Sequence, residues 1–407
     1  MSLKRILFVS ENVALGQVVR LLELAKSLDP QHFEVHFACS SFSPLVFEGT
    51  SFHQHTIYTL EVEKINKALN SGSRLYEEDT LSRYVEEDIA LFRRVQPDLV
   101  VSDLRLSTCI SAPYCGIPLA TLTNAYWSPY RHLEKFPVPD HSTVNLFGEQ
   151  KASYFFNLFR AQIFSHFTEP INRLRKKYGL KPVGSLLDVT TYGDYVLLCD
   201  VPGLAPLQGA PSHYVYLGPV LWSPRVALPA WWDQIPGDRP LVYVTLGSSG
   251  SIKKLPILLK ALGQLPVYAM VSTAGRVATE APAGNVFVAD FLPGDQAAAR
   301  SALVVSNGGS TTGYQALREG RPLVGVASNL DQYLSMGAIQ EAGAGVLLRA
   351  GLLTVEAVQE GVRRVLDDPS YGEAARRIQS EFTQFPAGER FRSFVYQATA
   401  QNAAASA

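Results

Sequence analysis

The sequence alternates short, continuously apolar runs with longer segments of helical periodicity, and this pattern constrains the fold more than any other feature. The first half opens on an apolar run at 6–9, continues with an amphipathic segment at 18–28 and returns to a strand-like run at 33–38. Continuous apolar runs are typical of parallel strands that are buried on both faces. The alternation therefore predicts an α/β fold with a doubly wound sheet and crossover helices.

The same alternation begins again at 241–247, after a stretch rich in proline and tryptophan. A length of 407 residues suits two domains of about 200 residues each. We therefore predict two Rossmann-like domains facing each other across a cleft, where sheets of this class bind ligands at the carboxyl ends of their strands. The predicted boundaries are a first domain at 1–220, an interdomain linker at 221–240, a second domain at 241–385, and a C-terminal helix with a frayed tail at 386–407.

Charge and cysteine content argue against several classes of protein. The formal net charge is -1, so we expect no nucleic-acid partner. The four cysteines are scattered without a CxxC pair, which argues against a zinc site or a disulfide framework and suits a reducing compartment. No signal segment and no apolar run of membrane-spanning length is visible, so we expect a cytoplasmic protein without stable membrane insertion.

Two glycine-rich turns each follow a predicted strand directly. Gly308 and Gly309 lie between the apolar run 303–305 and helix-like sequence, and a second turn at 247–250 follows the strand at 241–246. Glycine lets a backbone approach a ligand closely, and free N–H groups at a helix N-terminus favour an anion. Each turn alone is a weak signal, but both have the shape of a phosphate-binding turn.

Together with their surroundings, these turns resemble the UDP-glycosyltransferase family, which is glycosyltransferase family 1 with the GT-B fold, in its bacterial small-molecule type. The landmarks cover nearly the whole chain and lie at 15–17, 101–103, 116–118, 216–219, 242–248, 285–293, 307–309, 320–322 and 331–332. The resemblance implies an inverting, metal-independent transfer of a sugar from a nucleotide diphosphate to a small-molecule acceptor. It implies no cofactor beyond this nucleotide-sugar co-substrate.

The resemblance also implies roles for residues of the second half. Phe291 would stack on the nucleobase, and Asp331 with Gln332 would hydrogen-bond the sugar hydroxyls. The diphosphate would lie among Ser248, Asn307, Gly308, Gly309, Ser310 and Thr311. An aromatic face, backbone donors and an acceptor-donor pair suit a base, a diphosphate and a polyol respectively. The alternatives are that Phe291 is ordinary core and that Asp331 is a helix N-cap.

Two positions of this half depart from the family. Asn307 stands where the family usually has a histidine that contacts phosphate, and its amide cannot supply a charge-assisted hydrogen bond. Gln315 stands where many users of UDP-sugars have a glutamate that accepts both ribose hydroxyls. Because an amide offers one acceptor oxygen, bidentate acceptance from a 2′,3′-diol is lost. A dTDP-sugar is therefore an alternative to a UDP-sugar as donor.

A third departure concerns the catalytic base. The family has a histidine after an N-terminal glycine, oriented by an aspartate, whereas here Gln17 follows Gly16 and the aspartate is present as Asp103. Glutamine cannot act as a base near neutral pH. Four explanations remain open: Asp103 is the base and Gln17 orients the acceptor, Glu11 is the base, the acceptor is already acidic, or the chain binds donors without turnover.

Each of these candidates also has a plain structural interpretation. Asp103 would then cap the helix that follows at Ser107, and Glu11 would be a solvated loop residue. Arg20 and Arg105 would meet either an anionic acceptor or a surface carboxylate. Among the histidines, four look like surface or strand positions, namely His32, His36, His53 and His55, and three lie in the aromatic segment that should border the acceptor, namely His132, His141 and His166.

The leading hypothesis is a glycosyltransferase (a hexosyltransferase) acting on a small acceptor that is lipophilic or aromatic, judged from the phenylalanine-rich segment within 126–178. No DxD-type acidic pair is placed to hold a cation against the diphosphate, so no metal is expected. The alternative is a non-catalytic nucleotide-sugar-binding accessory protein of the same fold. A GT-B epimerase is a third possibility, which the absence of an obvious set of acidic residues and histidines around Gly16 disfavours.

Overall fold

The structure is a computed structural model, and it describes residues 3–11, 15–61, 63–65, 68, 73–248, 250–278, 281 and 283–405. The chain forms two compact units. Unit 1 comprises Met1–Glu134, Phe155–Val220 and Phe385–Ala407, and unit 2 comprises Lys135–Tyr154 and Leu221–Gln384.

Unit 1 is built on a seven-stranded parallel sheet with the order β3-β2-β1-β4-β5-β6-β7. Its strands are β1 (Lys4–Ser10), β2 (Phe33–Cys39), β3 (His53–Thr56), β4 (Leu99–Asp103), β5 (Leu119–Thr123), β6 (Tyr195–Leu198) and β7 (Tyr214–Tyr216). The apolar run of β1 forms a strand because all four side chains from Ile6 to Val9 are fully buried.

The helices that precede β6 belong to unit 1, except where they lie within 135–154, which is part of unit 2. Those before β6 are α1 (Leu15–Lys26), α2 (Pro44–Phe47), α3 (Glu78–Val95), α4 (Thr108–Cys115), α5 (Ser142–Phe147), α6 (Glu149–Leu158), α7 (Arg160–Lys177) and α8 (Leu186–Thr190). Short 3₁₀ turns occur at Ala125–Trp127 and, after β7, at Trp232–Gln234. Helix α1 buries its apolar stripe, including Val18, Leu21 and Leu22, and leaves Lys26 exposed in its last turn.

Unit 2 is built on a six-stranded parallel sheet with the order β10-β9-β8-β11-β12-β13. Its strands are β8 (Leu241–Thr245), β9 (Tyr268–Ser272), β10 (Val286–Ala289), β11 (Leu303–Ser306), β12 (Leu323–Ala327) and β13 (Gly345–Arg349). The helices after β8 are α9 (Leu255–Gly263), α10 (Gly294–Arg300), α11 (Ser310–Arg318), α12 (Leu330–Glu341), α13 (Val355–Asp367), α14 (Pro369–Thr383) and α15 (Ala387–Ala405). Two further 3₁₀ turns lie at Ile252–Lys254 and Ala350–Leu352.

Two segments, 135–154 and 221–240, belong to a different part of the structure from the one that the sequence predicts. The break after Val220 coincides with the predicted end of the first domain, but the segment predicted as a linker, 221–240, is part of unit 2. There Trp231 donates its indole N–H to the carbonyl of Val288 at 3.2 Å, and its ring lies 5.5 Å from the ring of Phe287 at a tilted angle. The proline content of 221–240 predicted a linker. Apolar contacts and hydrogen bonds of this kind instead pack the segment into unit 2.

The segment Lys135–Tyr154 also belongs to unit 2, although it lies within the predicted first domain. Asp140 explains this placement, because its carboxylate accepts hydrogen bonds from the Tyr333 hydroxyl at 2.8 Å and from Arg349 Nη1 at 3.0 Å. The same carboxylate accepts the backbone N–H of Gly351 at 2.6 Å. Because these hydrogen bonds join residues about 200 positions apart, the local sequence around Asp140 does not predict them.

Helix α15 belongs to unit 1, where Phe391 lies fully buried and its ring is 5.9 Å from that of Phe8 in β1. All four cysteines are free, and three of them are buried, as expected for small apolar core residues. In the part of the chain that the structure describes, no helix is both long enough and apolar enough to span a membrane.

Candidate active site

Each sheet reverses its strand order at one place, between β1 and β4 in unit 1 and between β8 and β11 in unit 2. At such a switch point the loops after the two strands turn in opposite directions and leave a crevice at the carboxyl edge of the sheet. The predicted site residue Glu11 directly follows β1, and the predicted site residue Asp103 is the last residue of β4. The predicted residues Ser248 and Asn307 follow β8 and β11. The fold therefore places these candidates in two crevices, one in each unit.

The turn after β11 in unit 2 is shaped by its own side chains. Ser306 Oγ accepts the N–H of Gly308 at 3.0 Å, and Asn307 Oδ1 accepts the N–H of Gly309 at 3.2 Å. Gly308 has φ +82°, and a Cβ there would lie 2.7 Å from Cγ of the fully buried Met336. Glycine is required at this position because both the backbone conformation and the lack of space exclude a side chain.

This turn leads directly into the N-terminus of helix α11. Gly309 is the N-cap residue, and no side-chain hydrogen bond caps the helix there. Ser310 is 9% exposed and Thr311 is half-buried in the first turn. The first N–H groups of a helix lack intrahelical partners and, together with the helix dipole, favour an anion. The structure thus brings Gly308, Gly309, Ser310 and Thr311 together at one anion-compatible helix end.

The turn after β8 packs against the first turn. Gly247 has φ +56°, and an added Cβ at Gly250 would lie 2.7 Å from the Cβ of Asn307. Ser248 between them is exposed, so its hydroxyl is accessible to a ligand at this edge. Both glycine-rich turns therefore border the same switch point of the unit 2 sheet.

Arg276 is a residue at this site that the sequence analysis missed. Its Nη1 donates to the carbonyl of Gly247 at 3.1 Å and to the carbonyl of Gly250 at 2.6 Å. Partial burial lowers the pKa of this guanidinium below its ordinary value. Its position in the loop after β9, the strand beside β8, was the available signal, since loops at the same sheet edge meet in space.

Arg276 supplies a positive charge to the turn after β8, which packs against Asn307. We expect Arg276→Gln to weaken the binding of a nucleotide diphosphate about tenfold, because both the hold on the glycine turn and the charge are lost. Calorimetric titration with dTDP at two salt concentrations measures this loss. Arg300→Gln is the matched control, since Arg300 also donates to a backbone carbonyl in unit 2, that of Trp232. Equal affinities in Arg276→Gln and wild type would show that this arginine has no part in diphosphate binding.

Phe291 is exposed, with 43% of its surface accessible, so it is not ordinary core. It follows β10 and lies against Gly275, where an added Cβ would approach two ring atoms to 3.0 Å. Gly275 itself has φ +66°. An accessible aromatic face at the carboxyl edge of the sheet is compatible with the predicted stacking on a nucleobase.

Gln315 is only 8% exposed, and its amide is held inside unit 2. The Nε2 atom donates to the carbonyl of Trp222 at 2.6 Å and to Ser223 Oγ at 3.1 Å. Its Oε1 lies beside Gly294, where an added Cβ would come within 2.7 Å of it. The two amide hydrogens are thus committed to the protein, and the oxygen is the group left for a ligand hydroxyl.

Asp331 and Gln332 lie in the first turn of α12. Asn329 is the N-cap of this helix, and Gln332 completes a capping box with it, so Asp331 is not the cap. Gln332 Oε1 accepts from the N–H of Ser328 at 2.9 Å, whereas its buried Nε2 has no hydrogen-bond partner among the described residues. The half-buried Asp331 and this unsatisfied donor are compatible with the predicted contacts to sugar hydroxyls.

In unit 1, Asp103 is 2% exposed and paired with Arg20. Arg20 Nε donates to Asp103 Oδ2 at 3.1 Å, and Arg20 Nη2 donates to Oδ1 at 2.9 Å. Burial disfavours the charge on Arg20, but the Asp103 carboxylate more than offsets this, and the pKa of the guanidinium is raised. The arginine therefore meets a buried carboxylate of its own unit instead of a surface one.

This ion pair continues into two residues that the sequence analysis missed. Arg20 Nη1 donates to Asn124 Oδ1 at 2.6 Å, and Asn124 Nδ2 donates to Asp200 Oδ2 at 3.2 Å. Asn124 follows β5 and Asp200 follows β6, so their position after successive strands was the signal. Leu104, directly after Asp103, has φ +56°, a strained conformation for a residue with a branched side chain.

Both Glu11 and Arg105 are buried. This corrects the interpretation of Glu11 as a solvated loop residue and of Arg105 as the partner of a surface carboxylate, since its partner Asp88 is fully buried. Glu11 is fully buried and accepts hydrogen bonds from the hydroxyls of Tyr76 at 2.9 Å and Tyr84 at 3.1 Å. Burial and the Glu11 charge raise the pKa of both tyrosines, so they remain donors. Arg105 is 1% exposed and donates to Asp88 at 2.7 Å.

Gln17 is half-buried in the first turn of α1, at the residue where the family has its histidine. His132, His141 and His166 are all exposed. Nδ1 of His166 lies 2.9 Å from Nη2 of Arg74. The roles of Asp103, Gln17 and Glu11 in catalysis, and of the unit 2 residues in donor binding, stay predictions.

Comparison with known proteins agrees with the predicted family. Residues 257–390 match the family model of the erythromycin biosynthesis protein CIII-like C-terminal domain. The "PGL/p-HBAD biosynthesis glycosyltransferase" of Mycobacterium tuberculosis (strain ATCC 25177 / H37Ra) is 45% identical over 380 residues, which cover 93% of this chain and 89% of that protein. The "PGL/p-HBAD biosynthesis rhamnosyltransferase" of Mycobacterium bovis (strain BCG / Pasteur 1173P2) is 46% identical over 380 residues, covering 93% and 84%.

Two further comparisons concern a relative that is named inactive and a solved structure. An "Inactive PGL/p-HBAD biosynthesis glycosyltransferase" of the same M. bovis strain is 43% identical over 262 residues, covering 64% of this chain and 71% of that protein. The solved structure of "Spinosyn Rhamnosyltransferase SpnG complexed with thymidine diphosphate" matches with a TM-score of 0.67 at 17% identity, covering 96% of this chain and all of that one. The latter likeness confirms the predicted fold. With 45% identity across 93% of its length, the chain belongs to the family of the PGL/p-HBAD biosynthesis glycosyltransferases and is a family 1 glycosyltransferase with the GT-B fold.

Proposed function

We propose that this enzyme is an inverting, metal-independent glycosyltransferase that uses a dTDP-sugar in preference to a UDP-sugar. Its acceptor would be a small lipophilic or aromatic molecule with an acidic hydroxyl group, such as a phenol. The hydroxyl oxygen attacks the anomeric carbon as the bond to the diphosphate oxygen breaks, and the hydroxyl proton passes to a base. Direct displacement of this kind inverts the anomeric configuration.

The observation that carries the donor preference is the fixed amide of Gln315. Its Nε2 is held by Trp222 and Ser223, so Oε1 is the acceptor left for the nucleotide. One acceptor suits the single 3′-hydroxyl of a deoxyribose, whereas the extra 2′-hydroxyl of a ribose would be buried without a matching partner. The relative that is named a rhamnosyltransferase and the neighbour solved with thymidine diphosphate support the same class of donor.

The departing diphosphate would be stabilised by protein groups in unit 2. The uncapped N-terminus of α11 offers backbone N–H groups, and Arg276 places a guanidinium against the neighbouring glycine turn. Groups fixed in place before the reaction stabilise developing negative charge without reorganisation. This arrangement would take the part that a divalent cation plays in metal-dependent transferases.

The acidic acceptor follows from the ion pair of Asp103. Both carboxylate oxygens face the guanidinium of Arg20, and Glu11 is similarly occupied by two tyrosines. A carboxylate held in this way is a weak base for an alkyl alcohol. A phenol, with a pKa near that of tyrosine at about 10, demands less of the base. We therefore assign proton removal to Asp103 and the orientation of the hydroxyl to Gln17.

Binding of dTDP and UDP to the purified enzyme tests the donor assignment. We expect dTDP to bind about tenfold more tightly, since an unpaired buried hydroxyl costs about 1–3 kcal/mol. In Gln315→Glu the affinities for dTDP and UDP should become more similar. The melting temperature should fall, because a carboxylate then faces the Trp222 carbonyl. Gln379→Glu is the matched control, since Gln379 also donates to a backbone carbonyl, that of Arg318 at 2.8 Å. Tighter binding of UDP by the wild-type enzyme would refute the preference.

Turnover separates this proposal from a role as a non-catalytic accessory protein. With a dTDP-sugar present, transfer should be faster to 4-nitrophenol than to phenol, and slowest to an aliphatic alcohol of similar size. If the protein bound the donor but neither transferred the sugar to any of the three acceptors nor slowly hydrolysed the donor, the accessory role would be favoured.

A further inference from the structure

Four polar side chains form a cluster at the edge of the unit 1 sheet, outside the switch point of that sheet. The edge cluster consists of Glu34 and His36 on β2 and His53 and His55 on β3. β3 is the edge strand, and His36 pairs in register with His53. Because residues two apart on a strand share a face, all four side chains lie on one face of the two strands.

Three members of the edge cluster direct ligand atoms at one another. Glu34 Oε1 lies 3.0 Å from His36 Nε2 and 3.4 Å from His53 Nε2. All three atoms lie within 4.8 Å of one another, and among the described residues no other group of three metal-ligating side chains meets this condition. The rings of His36 and His53 stack with their centroids 4.7 Å apart. From the sequence these histidines are predicted only as surface or strand positions, because the pairing of β2 with β3 has no local signal.

These separations suit a tetrahedral transition-metal ion. Zinc bonds of about 2.0–2.1 Å to nitrogen and oxygen place neighbouring ligands about 3.4 Å apart at the tetrahedral angle. The separations of 3.0 and 3.4 Å are within about 0.4 Å of this value. Two imidazole nitrogens and one carboxylate oxygen are also a donor set that binds such ions, with one position open to water.

Neighbouring groups hold two of the ligands in the orientation that a metal requires. His36 Nδ1 lies 2.9 Å from His55 Nε2, and His36 Nε2 lies 3.0 Å from Glu34 Oε1, both within hydrogen-bond distance. In the tautomer that donates its N–H from Nδ1 to His55, Nε2 is unprotonated and free to bind an ion beside Glu34. Arg5 Nε lies 3.5 Å from Glu34 Oε2, which leaves Oε1 for the histidines. His36 is 8% exposed while His53 is exposed, so the site is anchored in the core and open to solvent on one side.

We propose that Glu34, His36 and His53 bind one divalent cation of the zinc class, with His55 as the hydrogen-bonding partner of His36. The ion joins the four-residue edge strand β3 to β2 and stabilises this edge of the sheet. The site lies on strands that do not border the switch point between β1 and β4, and it takes no part in the transfer reaction.

Titration of the metal-free, full-length enzyme with Co²⁺ and with Zn²⁺ tests this proposal. We expect one equivalent of Co²⁺ to give the visible absorption bands of tetrahedral coordination, and Zn²⁺ to displace it. One equivalent of Zn²⁺ should also raise the melting temperature, because the ion binds the folded state. In His53→Ala, which removes an exposed side chain and should fold normally, the affinity should fall at least about tenfold.

His166→Ala is the matched control, since it removes an exposed histidine of the same unit and should bind the metal as the wild type does. Glu34→Gln supplies a second variant, in which the ligand charge is lost at nearly constant shape. Absence of saturable binding, or equal binding in His53→Ala and Glu34→Gln and in wild type, overturns the proposal.

Discussion

Replacing Asp103 by asparagine is expected to lower the rate of sugar transfer about 10²–10⁴-fold, the usual contribution of a general base. The amide cannot accept the proton from the acceptor. It also leaves the buried guanidinium of Arg20 without its counter-ion, and breaking a buried ion pair typically costs about 3–5 kcal/mol. The melting temperature should therefore fall together with the rate, whereas the affinity for dTDP, which we assign to unit 2, should stay within about twofold of wild type.

Steady-state kinetics, calorimetric titration with dTDP and thermal unfolding of the same preparation separate these effects. Asp98→Asn is the matched control, since Asp98 precedes the same strand and pairs with Lys4 at 2.8 Å. It should lose some stability without a comparable loss of rate. Weakened dTDP binding with unchanged turnover in Asp103→Asn would mean that Asp103 is not the base.

Replacing Gly308 by alanine is expected to have the largest effect on donor binding. At φ +82° an L-residue costs about 1–2 kcal/mol, and the new Cβ would meet Met336 Cγ at 2.7 Å. Relief of this contact moves the N–H groups of Ser310 and Thr311, in the first turn of α11, that we assign to the diphosphate. We expect the affinity for dTDP to fall at least about tenfold, as measured by calorimetric titration.

Gly337→Ala controls for the change of glycine to alanine itself. Gly337 lies one residue beyond Met336 in α12, and an added Cβ there has no other atom within 4 Å. In a helix interior this change should stabilise by up to about 1 kcal/mol and leave dTDP binding unchanged. If Gly308→Ala also bound dTDP as wild type does, the turn after β11 would not be the diphosphate site.

Periodicity and glycine placement were sufficient to predict the fold of the chain. A parallel strand that is buried on both faces has a continuous apolar run. Such a run can be identified in the sequence without knowing which strands pair with it, as at 6–9 and 303–305. The glycine turn at Gly308 was predictable for the same reason, because a conformation with positive φ selects its residue locally. Family and fold are confirmed, whereas donor class and catalytic roles stay predictions.

What the sequence did not show depends on contacts between distant residues. Glu11 lies 65 residues from Tyr76 and 73 from Tyr84, so neither its burial nor its hydrogen bonds have a local signal. Arg276 contacts carbonyls 29 and 26 residues away, in a loop that belongs to the next strand of the sheet. Such residues become visible only once the order of the strands is known.

The interleaving of the two units along the chain limits how this enzyme can be divided into fragments. Its backbone passes from one unit to the other four times, after Glu134, Tyr154, Val220 and Gln384. A recombinant fragment that begins at Leu221 would therefore lack Asp140, and Arg349 and Tyr333 would lose the carboxylate that binds them. Donor-binding measurements on a C-terminal fragment alone would therefore report on an incomplete unit 2. A fragment for such measurements should include 135–154, joined to 221–384 by a linker.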